Sequence, residues 1–345
     1  MKAISFRTLR ILPLLGSLVF TTSQCIHADE NDDAVKIHEK KAESFKVTGR
    51  YSEAEKEYRA ALAIQERTKG PEHPETLRNR QDLANMWLCD QKYGEAEKEL
   101  RAVLAVNERL FGPKHRDALR SRDLLCSMLS FQGRRDEAVA EYRRLLELQT
   151  RALGANHRDT LRTRSAIASM KMCMSKYAEA EKEYRALLSI LLRVFGPDDL
   201  STLWTRYQLG VVLESEHKDA EAAQQFRIAV DRGRRVLGAA TADIQAWRWA
   251  LAGSLASQGK RAEGEKECRI VLADSERILG AVHHYTLQAC VELIGHLERN
   301  GKKDEALALA RAALEVRMKV LGAEDTSTRW AQAIVNGLEG KEAPD

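Results

Sequence analysis

Residues 70–76 read Gly70-Pro71-Glu72-His73-Pro74-Glu75-Thr76, and this stretch sets the period of the whole chain. Gly112, Gly154, Gly196, Gly238, Gly280 and Gly322 succeed Gly70 at steps of 42 residues without an insertion. Glu53, Glu95, Glu137, Glu179, Glu221, Glu263 and Glu305 keep the same step, as do the arginines from Arg59 to Arg311. Arg50, Lys92, Arg134, Lys176, Lys218, Lys260 and Lys302 form a third series that is always basic. A self-similar period of this length means that one helical supersecondary motif stacks on copies of itself.

Each repeat holds two helical stretches. Ala180, Tyr184, Leu187, Leu188 and Leu191 show the i, i+4, i+7, i+8 face of an amphipathic helix. That longer helix stops at the periodic glycine, which is free to adopt positive φ, and Pro71, Pro113 or Pro197 directly after it bars continuation. Pro74 suits a first helical position, so His73 should be the N-cap of the shorter helix. The same register holds His115, His157, Asp199, Thr241, His283 and Asp325. Leu77, Leu83, Ala84 and Trp87 then supply a buried stripe, and the helix ends near Gly133, Gly259 or Gly301. A turn of a few residues makes the two helices antiparallel neighbours.

Paired helices with Leu83-Ala84 in the first and Ala96, Leu100 and Val103 in the second resemble tetratricopeptide repeats. The Gly-Pro-x-His-Pro-x-Thr-Leu connection and the 42-residue length are similar to the kinesin light chain type of that family. The resemblance covers roughly residues 34 to 339 and implies an all-α, right-handed superhelical α-solenoid of stacked antiparallel helix pairs. Two departures stand out. The large apolar residue usual early in the first helix is replaced by Arg80, Arg122, Arg164, Arg206 and Arg248, and the loop signature fades from residue 238 onward.

The expected organisation is a secretory signal at 1–28, a short linker at 29–33, seven 42-residue repeats over 34–327, a capping helix over 328–339 and a tail at 340–345. The first helix is expected over about 34 to 48. Lys2, Arg7 and Arg10 precede the apolar stretch Ile11 to Phe20, which is too short to span a bilayer as a helix. Cleavage after Ser23 or after Ala28 would release a periplasmic or secreted protein with no membrane span in the mature chain; a retained segment would be an N-terminal anchor.

The formal charge of +4 falls to +1 once the three basic residues of the leader are set aside, so the body lacks the net field that non-specific nucleic-acid binding needs. Beyond the leader, Cys89, Cys126, Cys173, Cys268 and Cys290 are odd in number and loosely spaced, which is no disulfide framework. Cys126 and Cys268 take the places of core residues in other repeats. His73, His115, His157 and His283 sit in separate stacked repeats and do not converge on one ion. No nucleophile elbow, zinc-protease helix or phosphate loop is present, so no enzyme activity, metal or cofactor is expected.

In tetratricopeptide arrays the first helix of each pair lines the groove. By that resemblance the groove registers hold Arg78, Arg120 and Arg162, with Asn85, Ser127 and Ser169 beside them, and then Trp204, Tyr207 and Trp249 as an aromatic section. The arginines would take acidic groups of a peptide or protein partner, and the aromatics its apolar anchor; equally, the aromatics could be core and the arginines paired with nearby carboxylates. The expected function is a non-catalytic interaction module, monomeric rather than oligomeric. The alternative is a structural scaffold that self-associates through repeat edges or caps.

Overall fold

The computed structural model describes residues 15–238 and 241–340. Among them it contains fifteen helices and no strand. The chain divides after Gly154 into two compact units. The first holds α1 (Leu15–Val47), α2 (Tyr51–Thr68), α3 (Pro74–Cys89), α4 (Tyr93–Phe111), α5 (Arg116–Phe131) and α6 (Arg135–Leu153). The second holds α7 (Arg158–Cys173), α8 (Tyr177–Val194), α9 (Leu200–Ser215), α10 (Asp219–Leu237) and α11 (Ala242–Ser257). It continues with α12 (Arg261–Leu279), α13 (His284–Arg299), α14 (Lys303–Leu321) and α15 (Thr326–Glu339). Within each unit every helix packs on its sequence neighbours. The first helices of successive pairs also meet, α3 with α5 in one unit and α7 with α9, α9 with α11 and α13 with α15 in the other.

The caps behave as the sequence requires. His73, His115, His157 and His283 each accept, through Nδ1, the amide of the residue two further on at 3.2–3.4 Å. Asp199 and Asp325 do the same at 2.9 Å. These histidines are therefore structural caps. Thr241 departs from the expectation: its backbone is extended like the others, but its side chain makes no capping bond. At the other end, α4, α6, α10, α12 and α14 stop immediately before a glycine with φ between +84° and +95°.

The amino-terminal boundary differs from the expectation. Residues 29–33, read as a linker, are helical within α1, which begins at Leu15 rather than near residue 34. No glycine or proline lies between Gly16 and Gly49, so nothing local interrupts it. Residues 1–14 of the expected signal and 341–345 of the tail lie outside the described residues.

The unexpected arginines explain themselves through the helix that follows. Arg80 bonds Glu99, Arg122 bonds Glu141, Arg164 lies 3.8 Å from Glu183, and Arg248 bonds Glu267, each across a separation of 19 residues. His38 and Glu57 make the same link at 2.6 Å. Where the acid becomes Gln225, Arg206 donates to it at 2.8 Å, and in the last pair both members turn apolar, as Cys290 and Leu309. A charged or polar clasp thus replaces apolar packing between the helices of a pair, keeping a hydrogen-bonded partner where one member changes, as with Gln225 or His38, and giving way to apolar residues on both sides only in the last pair.

A second set of ion pairs joins successive repeats. Glu55, Glu181 and Glu265 each engage the arginine four residues on, as the helix spacing predicts. They also bind Lys92, Lys218 and Lys302 of the next repeat at 2.8–2.9 Å. Arg134 joins Glu97 of the preceding repeat in the same way at 2.6 Å, so the basic series links repeats wherever the facing residue is an acid. Cys126, Cys268 and Cys290 are buried free thiols, whereas Cys89 and Cys173, the last residues of α3 and α7, are exposed.

Candidate functional site

In the first unit, α1, α3 and α5 enclose a pocket of 590 Å³. It brings together three of the residues expected to line the groove, Arg78, Asn85 and Arg120. They are not free cations: Arg120 Nη2 lies 2.5 Å from Asp82, and Arg78 Nη2 lies 3.9 Å from Asp117. The pocket also holds acids, Asp82 beside Arg78 on α3 and Asp32, Glu39 and Glu43 on α1, the last three interspersed with Lys36 and Lys46. Burial raises the carboxyl pKa of Asp82 despite Arg120, and burial likewise raises that of Glu39 despite a hydrogen bond with Asn79. Tyr58 donates its hydroxyl to Glu43 at 3.1 Å. Sequence reasoning missed Glu39 and Glu43, because α1 is the least regular copy of the repeat, and Asp82 on α3, because its partner Arg120 comes from the next repeat. Ser127 sits against the Tyr142 hydroxyl at 3.4 Å, which gives it a structural partner.

In the second unit a pocket of 480 Å³ opens between α7 and α9. Its floor is apolar, made by Leu161, Leu187, Leu191 and Leu200 with the ring of Trp204. Its rim carries Arg158, Arg162, Ser165 and Gln208. Trp204 is 39% exposed, although it is large and apolar. Arg158 is fixed by Asp199 at 3.0 Å and lies over the Phe195 ring, 4.4 Å from its centroid. Arg162 lies 3.5 Å from Asp159, one turn away on its own helix. This pocket brings together Arg162 and Trp204, which the sequence reading puts in separate sections of the groove. Ser169 is held by the Tyr184 hydroxyl at 2.6 Å.

The aromatic section needs correction. Trp204 meets Tyr207 edge to face at 5.6 Å, but its other aromatic neighbour is Trp247, also at 5.6 Å, and not Trp249. Tyr207 stacks on Trp247 at 6.1 Å and touches Phe226 at 5.6 Å, so it serves as core beneath Trp204. Trp249 packs on a separate apolar cluster with Ala252 and Leu293. The signal for Trp247 lay in Gly233: a β-carbon there would stand 2.5 Å from the Trp247 ring, so a mid-helix glycine marks the place where a large side chain enters. Trp330 was also missed. It stands 126 residues after Trp204, in the same register, and is 47% exposed on α15.

Among the described residues, no group of three or more His, Cys, Asp or Glu side chains could hold a metal ion. No described helix is long and apolar enough to cross a membrane.

No curated protein matches the chain. Among solved structures it is similar to a putative kinesin light chain with nearly identical TPR-like repeats from Podosopora anserina. That likeness has 21% identity, 59% of this chain and 97% of that one covered, and a TM-score of 0.52. It is also similar to a tetratricopeptide repeat protein from Parabacteroides merdae, at 14% identity with 89% and 99% covered and a TM-score of 0.52. A signal transduction ATPase with a tetratricopeptide repeat sensor, from Pyrococcus horikoshii, aligns at 12% identity and a TM-score of 0.64; the match takes in 91% of this chain and 44% of that one. These likenesses carry the fold. One tetratricopeptide repeat profile matches residues 33–96 and 159–234, and a second matches 76–117, 119–159 and 297–327. With the helix pairs, the glycine stops and the profiles in agreement, the chain belongs to the tetratricopeptide repeat family.

Proposed function

We propose that this chain is a non-catalytic interaction module that holds a peptide or protein segment against the first helices of its repeats. Tetratricopeptide repeats are generally protein–protein interaction modules, and the family is typically non-catalytic. Stacked repeats create extended surfaces suited to that task. The observation that carries the reading is Trp204, a half-open indole at the floor of a 480 Å³ pocket whose rim bears Arg158 and Arg162. A partner closing over this ring would remove on the order of 100 Å² of apolar surface from water, about 2 kcal/mol. Arg162 at the rim is placed to meet a carboxylate on the same segment. A photo-cross-linking residue at Gln208, inside the pocket, tests the reading. A partner adduct that disappears in Trp204→Ala supports it, and an adduct indifferent to that change counts against it.

The basic start and the stretch Ile11 to Phe20 support an exported protein, periplasmic or secreted after cleavage behind Ser23 or Ala28, or anchored if the segment is retained. Amino-terminal sequencing of the protein from its native compartment distinguishes these.

A scaffold reading has one observation in its favour. Val194, Val236, Ile278 and Val320 occupy one register at the ends of α8, α10, α12 and α14, and all are exposed. Such a row is an edge that a second copy could cover. Light scattering across a dilution series separates the two: a mass that stays monomeric favours the groove, and a concentration-dependent dimer that Ile278→Glu dissolves favours the edge.

A further inference from the structure

The second unit contains another pocket, of 300 Å³, at the carboxyl ends of α9, α11 and α13. It opens where glycine replaces a side chain. The register that holds Asn85, Ser127, Ser169 and Val211 in earlier repeats becomes Gly253 and Gly295 here. A glycine inside a helix costs about 1 kcal/mol relative to alanine, so it calls for a reason. Gly210 and Gly233 have one, since Phe226 and Trp247 each come within 2.5 Å of the missing β-carbon. Gly253 has none from packing: a β-carbon there would meet Glu214 Oε1 at 3.6 Å, an ordinary contact.

Three side chains around this space, His296, Arg261 and Arg299, are unmatched among the described residues. His296 lines the pocket and is 5% exposed, in a register that holds Met86, Met128 and Met170 elsewhere. Among the described residues its ring has no hydrogen-bond partner. Burial, reinforced by Arg299, lowers its pKa, which favours the neutral imidazole with its one donor and one acceptor nitrogen. Glu214 receives a hydrogen bond from Ser254 at 2.9 Å and otherwise suffers burial, which raises its pKa. Arg261 and Arg299 line the pocket from exposed positions at its mouth, and among the described residues neither forms an ion pair. One acid and two bases therefore face a single cavity without pairing to one another, in a chain whose other arginines are widely engaged.

We propose that this pocket binds a small zwitterion of the free α-amino acid class. The ammonium group would lie at Glu214, the carboxylate at Arg261 and Arg299, and the His296 imidazole would supply a hydrogen bond from within. The volume is at the lower limit of small-molecule pockets, which suits one amino acid and not a folded segment. A bare anion would leave the half-buried Glu214 unmatched, and a bare cation would enter against the like charges of two arginines. The site shares no residue with the Trp204 pocket and does not depend on the function proposed for it.

Glycine is the direct probe, because it presents the two charged groups with no side chain to clash; acetate and glycinamide present one charge each. Histidine ring resonances of the whole protein, with His296 assigned through His296→Gln, report the site. Saturable shifts of the His296 ring are expected with glycine, and acetate and glycinamide should need at least tenfold higher concentration. Gly253→Ser introduces the residue found in two earlier repeats and favours the helix. It is expected to abolish the glycine response while the thermal midpoint stays at or above that of the unmodified protein. An acetate response equal to that of glycine, no His296 response to glycine up to about 10 mM, or an undiminished response in Gly253→Ser would each overturn the proposal.

Discussion

The Trp247 ring occupies the space that a β-carbon on Gly233 would need, with Cζ3 2.5 Å from that position. Trp247 in turn supports Trp204 from below, so a glycine on α10 fixes the aromatic floor reached from the groove. Gly233→Ala should therefore lower stability by about 1 to 3 kcal/mol through overpacking. Gly337→Ala, with nothing within 4 Å of the new β-carbon, should raise it by about 0.5 to 1 kcal/mol. Urea midpoints of the two variants check the sign difference.

Gln91, Ser175 and His217 hold φ of 57–59° at the turn where Gly133, Gly259 and Gly301 adopt the same left-handed conformation. A side chain there is strained, because its Cβ crowds the following carbonyl oxygen. Replacing any of the three by glycine should raise stability by about 0.5 to 1 kcal/mol. Gly133→Ala should lower it by about the same amount. Thermal melts of the four single variants are sufficient.

The carboxyl of Glu265 is pushed up by burial, yet Lys302, Asn300 and Arg269 more than offset this and hold it near pKa 2. A depressed carboxylate contributes stability above its unfolded pKa of about 4.3, and that contribution fades as pH falls toward 2. Glu265→Gln should cost about 2 kcal/mol at pH 7. The difference from the unmodified protein should shrink steadily between pH 5 and pH 2, as followed by denaturant titration across that range.

Arg317 on α14 is 2% exposed and donates to the Ala313 carbonyl at 3.1 Å, while its Nε and Nη2 are buried without partners. Other repeats place Gln65, Gln149 or Leu191 at this register. Since desolvating a lone guanidinium is costly, Arg317→Leu should raise stability by about 1 kcal/mol or more. A lowered melting temperature would show that the guanidinium has a compensating partner.

The architecture was legible because its determinants are local. Gly70 and its mates stop helices, and His73 and its mates start them, through contacts within a few residues. The groove was legible only by register. Arg78 and Arg120 line one pocket and Arg162 and Trp204 another, but the acids that engage Arg120 and Arg78, Asp82 and Asp117, come from adjoining repeats. Trp247 and Trp249 are two residues apart on one helix, and the sequence of α11 alone gives no preference between them. The choice is made by Gly233 on a different helix. The Arg122–Glu141 clasp was readable as a pair of periodic columns 19 residues apart, once the arginines are asked which acid they face.

Peptides selected from a displayed library against the protein provide the most direct test of the Trp204 groove, through their affinities for four forms. Those forms are the unmodified protein, Trp204→Ala, Arg162→Glu and Ile278→Glu. Binding should fall at least tenfold, about 1.4 kcal/mol, in the first two variants and stay unchanged in Ile278→Glu. Affinity retained in both Trp204→Ala and Arg162→Glu would contradict the account.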